Sequence, residues 1–104
     1  MKAKTALEQS PDRLICAETA NGLATVFHET GEGASAEPFH LRFTPRDTDG
    51  VLNAVGTVMV GSYDDLETAV RKAAELYGAG ESDWQAILSK DLPTGGHGAP
   101  DLSR

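Results

Sequence analysis

Cysteine, basic charge and long apolar runs are all scarce in this chain of 104 residues. The one cysteine, Cys16, excludes an intrachain disulfide and removes the usual mark of an oxidising compartment. No apolar run approaches the ~18 residues of a transmembrane helix. The N-terminal MKAKTALEQSPDR also has no continuous apolar stretch of the secretory type. The expected location is cytoplasmic, away from membranes.

Nine Lys and Arg stand against sixteen Asp and Glu, for a net charge of −7. Phosphate-backbone recognition needs clustered cations, and these are scattered, so direct nucleic-acid binding is not expected. An anionic bilayer would repel the same charge. Catalytic signatures are missing too: no glycine loop followed by Lys and Ser/Thr, no GxSxG, and no CxxC or HxxxH spacing. The chain reads as non-enzymatic, with no cofactor.

What is present is one domain's worth of core. The hydrophobic fraction is 39%, and the apolar residues gather between positions 14 and 92. A chain of this length buries roughly 65% of its unfolded surface without metals or disulfides. RLICAET and LATVFHE flank Ala20-Asn21-Gly22, and Asn-Gly marks a two-residue hairpin turn. A turn at Asn21-Gly22 sets Cys16 opposite Phe27 and Glu18 opposite Thr25. Leu14, Cys16, Leu23 and Phe27 carry the larger side chains and form the expected core face. Ile15, Ala17, Ala24 and Val26 share the other face with His28.

PFHLRFTPR alternates cleanly, with Phe39, Leu41 and Phe43 on one side and His40, Arg42 and Thr44 on the other. That pattern predicts a half-buried antiparallel strand. Residues 51 to 60 predict a fourth strand, central and apolar on both faces. Its inner row ends at Val58 and Val60; its outer row contains Val51, Val55, Thr57 and Met59.

The next segment, GSYDDLETAVRKAAELYGAG, has a helix start, face and stop. Ser62 is the expected N-cap, Leu66, Ala69, Val70, Ala73, Leu76 and Tyr77 form the apolar stripe, and Gly78 permits the terminating turn. DWQAILSK predicts a shorter helix that buries Trp84. The expected fold is α+β in two layers: a four-stranded antiparallel β-meander followed by one long and one short C-terminal helix packed on one face. Residues 1–12 are expected as a weakly ordered arm, 13–92 as the single domain and 93–104 as a disordered tail.

Two surfaces stand out against this frame. His28, His40 and Arg42 gather on a polar sheet face, where Arg42 could hold an anionic small molecule. Val51, Val55, Thr57 and Met59 form a row that the helices do not cover, and uncovered apolar rows mark interfaces. Cys16, His28, His40 and His97 lack the close spacing of metal ligands, so no metal is expected. The leading expectation is an interaction module whose partner is another protein or itself, as a homodimer joined through a sheet face or edge. An alternative, from the charge, is an acidic inhibitor of a nucleic-acid-binding protein, of the phage-encoded anti-CRISPR-like kind. A second alternative is a small-molecule binder or enzyme subunit that uses the polar sheet face. The general pattern resembles that of many short bacterial and phage proteins, a likeness of topology alone.

Overall fold

A computed structural model of the chain describes residues 1–93. Two helices and five strands give an α+β fold. The helices are α1 (Lys2–Gln9) and α2 (Leu66–Tyr77); the strands are β1 (Leu14–Thr19), β2 (Gly22–His28), β3 (Phe39–Pro45), β4 (Val58–Tyr63) and β5 (Trp84–Ala86). The sheet order is β4-β3-β2-β1-β5, with every neighbouring pair antiparallel. The first four strands follow one another as a meander, and β5 returns to the free edge of β1.

Both helices pack on the sheet face that carries Ile15, Ala17, Ala24, Val26, Leu41 and Phe43. From α2 come Leu66, Ala69, Val70 and Ala73, with Tyr77 half-buried against the same core, so the expected stripe holds except at Leu76. Leu76 is exposed, whereas Tyr77 lies flat on Phe43 with ring centroids 3.8 Å apart. Asp65 caps the helix in place of Ser62, its Oδ1 accepting from the Thr68 N–H at 2.7 Å. Ser62 is held in β4, one strand residue before the chain turns. At the other end Gly78 takes φ 76°, and its N–H reaches the carbonyls of Ala73 and Ala74.

The hairpin differs from the expectation in turn, register and buried face. Its two loop residues are Ala20 and Asn21, and Thr19 pairs with Gly22, Cys16 with Thr25 and Leu14 with Phe27. The Thr19 side chain explains the shift. Its hydroxyl accepts from the N–H groups of Asn21 and Gly22 and donates to the Gly22 carbonyl, closing the turn one residue early. The slip is two pairing positions, so the same side chains still share a face. That face, however, is turned away from the helices. The small residues Ala17 and Ala24 let α1 and α2 approach the sheet closely, which larger side chains there would prevent.

Three further expectations are corrected. The N-terminal arm is a helix: Ala3 and Ala6 are buried against the sheet, giving residues 2–9 an apolar stripe to bury. DWQAILSK is a short strand flanked by 3-10 turns. Trp84, Gln85 and Ala86 pair with Ala17, Cys16 and Ile15, and the Ile87 N–H donates to Leu14, so the open edge of β1 overrides local helix preference. The fourth strand covers only Val58–Tyr63, while 51–57 form a loop with a 3-10 turn at Ala54–Gly56. The expected disordered tail falls, after Pro93, outside the described residues.

Candidate protein interface

The face turned away from the helices is built from β1, β2, β3 and β4. Leu14, Cys16, Leu23 and Thr25 are buried on it, whereas Phe27 and Arg42 are exposed. Burial pushes the Cys16 thiol pKa up, and the charge on Glu18 adds to the rise. The thiol therefore stays protonated and acts as a small apolar group.

Strand register brings two of the sequence candidates together. Arg42 pairs with Met59 across β3 and β4, and the hydroxyls of Thr44 and Thr57 lie 2.8 Å apart. The polar face and the outer row thus meet along one side of the sheet. Val55 and Val51 sit beyond Thr57, on the loop that follows the end of β3, and both are exposed. The loop is tied down there by the Asn53 N–H, which donates to the Pro45 carbonyl at 2.8 Å.

His28 does not belong to this surface. Its partner is Phe39, on the helix side, and the two rings stack 4.3 Å apart. Burial first, and the nearby Arg13 charge second, lower the His28 pKa. Just below pH ~6.5 the unfolded chain then binds more protons than the folded one. The contribution to stability is full above that pH and lost as pH falls toward the lower folded value. Thermal melts should accordingly show a decline as the pH falls below about 6.5, and His28→Gln should flatten it. An unchanged slope in the variant would assign the decline to other groups.

His40 is held at both ring nitrogens. Nε2 lies 2.8 Å from Glu29 Oε1, and Nδ1 lies 2.7 Å from Ser62 Oγ. Because an ionised carboxylate only accepts, Nε2 carries the proton toward Glu29. In the neutral ring Nδ1 then accepts from the Ser62 hydroxyl. The Ser62–His40–Glu29 chain has the connectivity of a nucleophile, base and orienting acid. Its serine lies within a strand, and none of the principal clefts lined by described residues borders it or Arg42. Its evident effect is to lock the His40 ring beside Phe27. Sequence spacing held no sign of this chain, since the 29–40–62 triplet meets only after β3 pairs with β4.

The edge of the sheet is the more exposed feature. β4 is the outermost strand, and its sequence VMVGSY has no charge and no proline. Val58 is 50% exposed on the helix side of the sheet, Met59 52% on the other, and Val55 77% beside them. A bulge at Val60 offsets the β3–β4 register between Leu41 and Arg42 and turns Val60 toward the core. Among the described residues no group of three or more potential metal ligands occurs, and no helix is long and apolar enough to cross a membrane. The chain matches no family model, and no solved structure matches it significantly.

Proposed function

We propose that the protein is an interaction module that self-associates through the outer edge of β4. The observation that carries this reading is an edge strand without charge or proline and with apolar side chains exposed on both of its faces. Soluble proteins ordinarily guard such edges with Lys, Pro or a covering loop. A two-fold pairing of β4 with its own copy would join two five-stranded sheets into one continuous sheet. In such a pairing each residue meets residues of the same strand, so any charge on it would face a like charge nearby. A strand free of charge, in a chain with net charge −7, suits that arrangement. Val55 and Met59 would flank the seam, and Arg42 would lie beside it to meet carboxylates of the facing copy.

Light scattering behind size exclusion is expected to give twice the 11.0 kDa chain mass. Met59→Lys places two like charges at the seam and should return the monomer with an unchanged far-UV spectrum. A wild-type monomer at high protein concentration would remove the proposal, and a dimeric Met59→Lys would move the contact to another surface.

A further inference from the structure

On the helix side of the sheet, a cleft of about 520 Å³ lies between α1, the start of α2 and the neighbouring ends of β2 and β3. Its rim carries Lys4, Glu8, Arg13 and His28, and its walls include Phe39 and Leu66. Two cationic side chains, Lys4 and Arg13, thus line one cavity against the single carboxylate of Glu8, in a chain whose overall charge is −7. Among the described residues neither Lys4 nor Arg13 has an ion-pair partner.

Arg13 is held there against its backbone preference. At φ 54° it is the one non-glycine residue with positive φ among those described. Gly or Asn would occupy this region at lower cost. Three hydrogen bonds enforce it: Arg13 N–H to the Ser10 carbonyl at 3.2 Å, His28 N–H to the Arg13 carbonyl at 2.9 Å, and Leu14 N–H to Ser10 Oγ at 2.9 Å. Strained residues that their surroundings over-determine gather at ligand sites. Here the outcome is that the Arg13 backbone is fixed at the mouth of a cleft lined also by His28 and Phe39, whose rings stack within 11° of parallel.

We propose that this cleft binds a small aromatic carboxylate, with its ring against Phe39 and Leu66 and its carboxylate between Arg13 and Lys4. The volume lies within the ordinary range for small-molecule sites and admits a one- or two-ring acid. Apolar walls would be idle with inorganic phosphate, and Glu8 at the rim opposes a dianion. A singly charged acid with a flat body satisfies both. Arg is suited to the role because its planar fork matches a carboxylate with two parallel hydrogen bonds.

The test is an amide NMR titration of the full chain with naphthoate and, in parallel, with the neutral naphthalenemethanol. Saturable shifts confined to residues around Lys4, Arg13, His28, Phe39 and Leu66 are expected, with the alcohol binding about tenfold more weakly. Arg13→Gln should weaken naphthoate by about tenfold and leave the alcohol unchanged. Should Arg13→Gln fold poorly, Lys4→Gln, at an exposed helix position, carries the same test with a smaller loss. Absence of saturation, shifts centred elsewhere, equal affinity for acid and alcohol, or undiminished binding by folded variants would each overturn the proposal.

Discussion

Trp84→Ala is expected to cost about 3–5 kcal/mol, a large share of the roughly 5–15 kcal/mol that stabilises a domain of this size. Trp84 is fully buried and is the largest side chain in the core. It sits in β5 opposite Ala17, with the buried Ala3 and Ala6 of α1 in the same core cluster. Its ring fills volume that three small neighbours cannot fill, so truncation leaves a cavity that only a large movement of α1 could close. The indole N–H has no hydrogen-bond partner among the described residues, which makes the expected loss one of packing. Trp84→Phe, which keeps most of the ring, should therefore lose clearly less than Trp84→Ala. Urea unfolding followed by far-UV circular dichroism measures both. A loss below about 1 kcal/mol in the Ala variant would mean that β5 and α1 are not docked as described.

The same residue marks the limit of what local pattern could reveal. Trp84, Ile87 and Leu88 recur at a helical spacing, and nothing within DWQAILSK announces a strand. The deciding influence lies some seventy residues away in the unpaired edge of β1, whose backbone groups take up Trp84–Ala86. In α2, by contrast, the cap, stripe and terminal glycine all lie within one segment, and its placement was legible to within a few residues. The alternation of β3 was equally plain, because Phe39, Leu41 and Phe43 are all large and apolar, and it correctly divides core from outer face. The hairpin lacked that contrast. Both of its faces are apolar, and the choice between them depends on which one two alanine-lined helices can approach.

The candidate surfaces divide in the same manner. Exposure of Val51, Val55 and Met59 follows from an apolar row that the helices do not cover, though 51–57 is a loop and not the strand expected. The meeting of Arg42 with Met59 depends on a bulge at Val60 that no sequence signal announced. His28 lies on the helix side because the hairpin buries the face that carries Ile15, Ala17, Ala24 and Val26, the reverse of the face its larger side chains suggest. Its actual setting, between Arg13 and Phe39, needs both the left-handed turn at Arg13 and the helix formed by residues 2–9. The bound on sequence reading here is physical. Sites assembled from α1, a strained turn and two strand ends have no local spacing to detect.

Gly22→Ala carries the second large expected effect, about 3 kcal/mol. Gly22 opens β2 and pairs with both Thr19 and Pro45, so β1 and β3 close in on it from either side. A Cβ at this position would overlap the Thr44 carbonyl oxygen and come within 2.7 Å of the Phe43 ring and 2.9 Å of Pro45 Cα. Two of those three obstacles are backbone, and a backbone flanked by paired strands cannot step aside without breaking ladder hydrogen bonds. The neighbouring Asn21→Ala is the control: it sits in the same turn with an exposed side chain and should stay within about 0.5 kcal/mol of the parent. A double variant separates the causes. Phe43→Leu removes the ring tip, so if the ring were the obstacle, Gly22→Ala would cost much less in that background. With the Thr44 carbonyl as the obstacle, the cost of Gly22→Ala in the Phe43→Leu background remains close to its cost alone, an additive cycle within about 0.5 kcal/mol. Strong rescue would show that the β2–β3 approach is set by side-chain packing, and that the close backbone contact at Gly22 is its consequence.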